Sequence, residues 1–419
     1  MTFISPPTLG RRQFLAMAGV SWLTPIGRLL ADQAERSREP AQSVILLWLD
    51  GGPSQLETFD PHPGTSFAGG TQAIKTAVPT IQLAQGFEQL ADQMHSVALV
   101  RSMVSKEGDH ERGTYLMKTG YRPDPTVEHP SIGAICCHEL PAGRTDIPRH
   151  ISIQTVQRPS RGGFLGGDYD AFQVGDPRDK LPDMRPPVPE LRDSQRVHDL
   201  EIVESAFARG RQSRVARTLH RETLARARLM MTSEQLRAFD ISREPASVVA
   251  EYGDSPFGRG CLAARRLIEV GVRCVEVSLG GWDSHVRNHE IHRGLVKQLD
   301  PAFAALIRDL ARHKQLDRTI VLCCGEFGRT PRINPFGGRD HWPTGFSLAL
   351  AGGGIRGGHV LGETDPEAVK DPARPTTIYD IHATILTALG LDPAKENIAP
   401  ATGRPIKLSE GKPIRELLS

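Results

Sequence analysis

Five stretches of this chain are largely apolar, and four of them close on glycine, aspartate or glutamate. They read SVILLWLD (43–50), HSVALVRSM (95–103), RCVEVSLGGWD (273–283), RTIVLCCGE (318–326) and FSLALAGGG (346–354). A strand that is apolar on both alternating sides must be covered on both faces, as in a parallel sheet packed between helices. Helical patterns lie between the runs: CLAARRLIEVG (261–271), Ile291 to His313, and TTIYDIHATILTALG (376–390). HISIQ (150–154) is a further strand candidate, and SIGAICCHEL (131–140) a short buried helix. The expected fold class is therefore α/β, a doubly wound three-layer α/β/α sandwich with a largely parallel central sheet. In such folds chemistry gathers where the strands end at their carboxyl edge.

Composition excludes some functions. Lys and Arg total 51 against 49 Asp and Glu, a net charge of +2, and aromatics make up 5%. Neither a global basic field nor a base-stacking surface is present, so no nucleic-acid partner is expected. The six cysteines form no CxxC pair and lie mostly in apolar runs, which reads as buried thiols.

Arg11-Arg12 followed by Phe14-Leu15 and a modest apolar run resembles a twin-arginine export signal. The run is broken by Gly19, Pro25 and Gly27 and is too weakly apolar for a stable span. This implies the twin-arginine export machinery as a partner, a periplasmic or otherwise exported location, and membrane contact only through the signal segment. Residues 1–40 are read as signal and linker. Residues 41–419 are read as one domain, with a loop and helical insertion around 160–255. Within the insertion, 162–189 is rich in glycine and proline and reads as a loop. Residues 196–239 read as a solvated amphipathic helix pair.

Candidate chemistry follows the strands. Asp50 ends the first. Asp283 and His285 follow the third run, in GGWDSHVRNH. Glu326 follows the fourth, in GEFGRTP, and Asp340 and His341 lie beyond that loop, in GGRDHW. Carboxylates mixed with imidazoles suit a divalent metal. After the second run comes GDHERGTYLMKTGYRP (108–123), whose helix begins at Asp109-His110. Free N–H groups and partial positive charge make such a start a seat for an anion. Asp109 can cap the helix by itself. For His110, nucleophile, metal ligand, acid/base and part of the cap are all open.

The segments WLDGGPSQLETFDP, DHERGTYLMKTG, GGWDSH, GEFGRTP, GGRDHWP, LAGGGIRGGHVLGETD and YDIHATILTALGLDP, with the ending GRPIKL…GKPIREL, resemble the bacterial DUF1501 family over nearly the whole chain after the signal. That family is similar to the alkaline phosphatase/sulfatase superfamily. The resemblance implies an alkaline phosphatase-like sandwich with one or two divalent metals (Zn, Mn, Mg or Ca). It places Asp50, Asp283, His285, Glu326 and His341 as metal ligands, His289 as a lower-ranked candidate, and Asp340 as a partner behind His341. His110 falls at the position of the sulfatase nucleophile, so it would act as ligand, transient acceptor or acid/base. Thr114, Ser102 and Ser105 lie nearby. Arg329, or Arg112, would contact the anion. Two departures stand out: Gly51 replaces a second aspartate, and Phe327 replaces a histidine. His382 is expected to be structural.

The function so implied is an exported metal-dependent hydrolase of phosphate or sulfate esters. Its substrate would be an anionic ester, with sulfated or phosphorylated carbohydrate among the candidates. The alternative is an exported, non-catalytic binding or scaffolding protein that keeps the fold. A peptidase finds no support, since neither G-x-S-x-G nor H-E-x-x-H occurs.

Overall fold

The computed structural model describes residues 39–419 apart from residues 67, 156–157, 182–183, 185–187, 210–219 and 366–371. The twin-arginine segment lies outside the described residues.

Among the described residues, nine strands form the main sheet, numbered in chain order. They are β1 (Ser43–Asp50), β2 (Val97–Val104), β3 (His150–Ile153), β4 (Phe172–Val174) and β5 (Cys274–Gly280). β6 (Thr319–Cys324), β7 (Phe346–Ala351), β8 (His359–Leu361) and β9 (Thr376–Thr377) complete it. The spatial order is β8-β2-β7-β6-β1-β5-β3-β4, with β9 also paired to β2. All pairings are parallel except those of β7, which runs antiparallel to both β2 and β6. The reason is the connection. Residues 325–345 carry no helix, only the small ribbon of Gly328–Arg329 against His341–Trp342. A parallel return needs a crossover, so a strand reached by a helix-free loop comes back antiparallel. The sheet is mixed and mostly parallel.

β1 shows why the fold has three layers. Its residues are buried from Ser43 to Leu49. Ile45, Leu47 and Leu49 enter one core, with Leu262 and Leu267 of α3 (Pro256–Glu269) and Leu299, Phe303 and Leu306 of α4 (Asn288–Arg312). Val44, Leu46 and Trp48 enter the other. There they meet Leu116 of α1 (His110–Thr119), Ile135 of α2 (Ile132–Glu139) and Ile385 of α5 (Ile378–Ala388). Each such side chain contributes about 1.5–3 kcal/mol on leaving water, so the period-2 alternation of β1 stabilises both layers at once.

Local signals fix the helix that matters most for the site. Asp109 caps α1 by accepting from the backbone N–H of Glu111 (3.0 Å) and of Arg112 (3.1 Å). The helix stops at Gly120, whose φ of 72° is the left-handed conformation that glycine adopts without strain. Lys118 is buried two turns below His110, pairs with Glu276 of β5 at 2.8 Å and lies over the Trp48 ring. That pairing locks α1 to the centre of the sheet.

Some elements depart from the sequence reading. The segment taken as a loop, 162–189, contains the edge strand β4, three residues between glycine- and proline-rich turns and too short to show a period. α4 begins at Asn288, one turn earlier than expected, and contains Pro301. The helical insertion forms Glu190–Ala208 and His220–Thr232. All six cysteines are free and buried. None of the described helices is long and apolar enough to cross a membrane.

Candidate metal centre

Four chain segments meet at one edge of the sheet. β1 and β5 stay in register to their ends, Asp50 opposite Gly280, and β6 runs beside β1 to the pair Trp48–Cys324. The loops leaving β5 and β6 therefore start on either side of the end of β1 and carry Asp283, His285 and Glu326. α1 brings His110 from the far side of β7. Because β7 is antiparallel, the residues that precede it lie at this same edge, and His341 is among them.

Three imidazoles are oriented alike. His110 Nδ1 lies 2.6 Å from Glu326 Oε1, His285 Nδ1 lies 3.0 Å from Asp340 Oδ1, and His341 Nδ1 lies 2.7 Å from the Gly108 carbonyl oxygen. A carbonyl or ionised carboxylate can only accept, so each Nδ1 carries the proton. The neutral rings are thereby left with a lone pair on Nε2. All three Nε2 atoms face Asp283: His110 at 3.4 Å from Oδ2, His285 at 3.0 Å and His341 at 3.4 Å from Oδ1. His285 Nε2 and His341 Nε2 are 3.1 Å apart. Two lone pairs at that distance repel unless a proton or a cation lies between them. His110 Nε2 is buried with no hydrogen-bond partner. Among the described residues, His110, Asp283 and His341 are the group of three whose donor atoms all lie within 4.8 Å of one another, with His285 adjoining. The chemistry of this donor set fits a divalent cation.

The electrostatics pull the rings in different directions. The hydrogen bond to Glu326 raises the His110 pKa, against the opposing effect of burial. Burial pushes the Glu326 carboxyl up, and His110 works in the other direction. Burial lowers His341, which favours its neutral, ligating form. Burial alone would raise Asp283, but the Arg329 guanidinium, with His110 and His285, more than offsets this and keeps it ionised.

The remaining expected residues take other places. Glu326 stands behind His110, and its carboxylate also accepts the Gly51 N–H at 3.1 Å. Asp50 ends β1, accepts from Trp48 Nε1 at 3.1 Å, and adds negative potential at Glu326. Arg329 was expected to contact an anion, but it turns inward. Fully buried, it donates to the carbonyls of Gly51, Gly52 and Arg339 and to Asp283, and its Nη1 lies 3.4 Å from His285 Nε2. His289 pairs with Glu57 (3.3 Å) instead of joining the imidazoles. Ser102 bonds Thr376, and Ser105 bonds the Glu107 carbonyl. His382 is buried against the Met117 carbonyl, and burial lowers it to about 4.

Both departures from the superfamily pattern have physical reasons. A Cβ on Gly51, at φ 115°, would come within 2.5 Å of the Asp283 backbone nitrogen. A side chain there would displace Asp283. Phe327 packs its ring 5.0 Å from His110 and 4.6 Å from His341, forming an apolar wall beside both.

Sequence reasoning missed the Gly108 carbonyl, which fixes the His341 tautomer and leaves no side-chain signal. It also missed the Lys118–Glu276 pair. The signal was present: a glutamate in the middle of the buried strand CVEVSLG needs a buried cation.

The model of the family described as "Protein of unknown function (DUF1501)" matches residues 41–418. The chain belongs to the DUF1501 family. Among proteins of curated function, none matches this sequence. Solved structures similar to this DUF1501 protein include the PsFucS1 sulfatase from Pseudoalteromonas sp., at 14% identity, covering 87% of this chain and 70% of that one, with a TM-score of 0.39. The alkaline phosphatase from the Antarctic bacterium TAB5 matches at 12% identity over 85% of this chain and 100% of that one, with a TM-score of 0.35. The lipoteichoic acid synthase LtaP from Listeria monocytogenes matches at 11% identity, 89% and 75% coverage and a TM-score of 0.36.

Proposed function

We propose that this DUF1501 protein is an exported, metal-dependent hydrolase of phosphate or sulfate esters. The observation that carries the reading is the convergence of three Nε2 lone pairs on the Asp283 carboxylate. His110, Asp283 and His341 would hold one divalent ion, with His285 completing the set. An imidazole-rich set favours zinc or manganese over magnesium or calcium. Bound there, such an ion polarises a phosphoryl or sulfuryl oxygen and lowers the pKa of a water.

The protein's own groups supply orientation. Glu326, Asp340 and the Gly108 carbonyl fix each ring and its tautomer. Arg329 holds Asp283 in place and is not the group that meets the anion. Phe327 keeps water off one side of the two rings it touches. With its Nε2 given to such an ion, His110 would not be free to act as a covalent nucleophile, and the attacking group would be water. Export by the twin-arginine route is part of the same proposal and rests on Arg11-Arg12.

Turnover of a panel of aryl and alkyl phosphate and sulfate esters tests the reading. The expected result is activity lost on chelation and restored by zinc or manganese. A protein that binds metal at this centre yet turns over no ester would instead favour the non-catalytic scaffold.

A further inference from the structure

The metal centre uses one end of α1. Along the same helix runs a cavity of about 590 Å³ that the centre leaves unused. It lies between α1 and residues 158–161, with Asp109, Arg112, Tyr115, Arg158 and Ser160 among its walls. Asp109 and Arg112 flank His110 in sequence, so the cavity starts beside the reactive end of the helix. A second cavity of about 560 Å³ adjoins it, sharing Pro123 and His129 and lined also by Tyr121, Tyr379 and Arg404. Each is within the roughly 300–1,000 Å³ common for ligand sites, so together they offer room for several units of a chain.

The walls say what kind of chain. Every cation of the first cavity is matched by a carboxylate: Arg112 by Glu107 (3.2 Å), Arg158 by Glu111 (3.1 Å), Arg161 by Asp170 (3.3 Å) and Lys118 by Glu276 (2.8 Å). A polyanion finds no surplus positive charge. What remains are hydroxyls, planar ion pairs with both donors and acceptors, and one spare donor, Arg158 Nη1, buried without a partner. The surface where the two cavities meet is rigid. Tyr121 stacks on His129 with ring centroids 4.3 Å apart and planes 3° from parallel. The Tyr115 hydroxyl accepts the His129 backbone N–H at 2.7 Å and sits 3.0 Å from its Nδ1. A fixed aromatic and polar surface of this kind binds without paying for its own ordering.

We propose that the two cavities form one groove that seats the uncharged, polyhydroxylated part of an oligosaccharide, leaving a single anionic ester to reach the metal centre. The ester's fate rests on the hydrolase reading above, but the seating of the chain does not.

The test is an array of oligosaccharides of two, four and six units, each in neutral, singly sulfated, singly phosphorylated and fully sulfated form. It is probed with the full chain and with the variants Tyr121→Ala, Arg404→Ala and His341→Ala. The expected result is binding of a neutral or singly esterified backbone that tightens at least about tenfold from two units to six, which is about 1.4 kcal/mol. Tyr121→Ala removes that gain. Arg404→Ala, at an exposed side chain, weakens it too and serves if Tyr121→Ala folds poorly. His341→Ala leaves binding of the neutral chain intact. Preference for the fully sulfated forms, affinity independent of length, or no retention of any backbone overturns the proposal. Turnover of small esters without chain binding defeats the groove and spares the hydrolase. Chain binding without metal or turnover does the reverse.

Discussion

Arg329→Met lowers the unfolding free energy by about 3–5 kcal/mol and scatters the metal centre. The magnitude follows from what the guanidinium holds. Its nitrogens satisfy the carbonyls of Gly51, Gly52 and Arg339, and it pairs with Asp283. A methionine fills much of the same volume but leaves buried acceptors without donors and Asp283 without its counter-charge. Those carbonyls belong to the turn after β1 and to the loop that carries His341, so the loss spreads to both sides of the site. Arg329→Lys recovers little, because one ammonium cannot span a fork of this width. Urea unfolding of the three proteins checks the point. An Arg329→Met transition within about 0.5 kcal/mol of the parent would show that the fork is not a structural keystone.

Glu326→Gln has a different signature, because it spares the fold and weakens the metal. The carboxylate fixes the proton on His110 Nδ1, raises the basicity of the ring and accepts the Gly51 N–H. Glutamine keeps the size and one acceptor but loses the charge that makes the imidazole a good donor. Removing such a partner typically costs about 10–100-fold in metal affinity. Equilibrium dialysis against zinc, beside a thermal melt, separates the two effects. Unchanged affinity would mean that His110 does not ligate. Complete loss of binding, equal to that of Asp283→Ala, would mean that Glu326 is itself a ligand.

The layers of the fold were legible because they depend on burial, and burial is written in apolar runs such as SVILLWL. So was the edge at which chemistry gathers, since Asp50, Asp283 and Glu326 each follow a strand. The direction of β7 was not legible. It depends on the missing helix between Glu326 and Phe346, and the residue pattern of a buried strand reads the same both ways. Arg329 looked like an anion contact because a guanidinium fork matches a tetrahedral oxyanion. Its burial follows from how the loops after β1, β5 and β6 fold over one another, which no local pattern encodes. The same holds for Glu326, whose residue type suits a metal ligand while its position puts it behind His110. The question of a helix cap at GDHERG resolves locally: Asp109 alone takes the two backbone N–H groups. That leaves His110 free to turn toward Asp283.

Metal content decides whether this centre binds an ion, read on the full chain and on His341→Ala after dialysis against zinc and then against metal-free buffer. The expected result is one ion per chain in the parent and only a residual trace in the variant, with both proteins folded. No retained metal in the parent, or the same content in the two proteins, would contradict it.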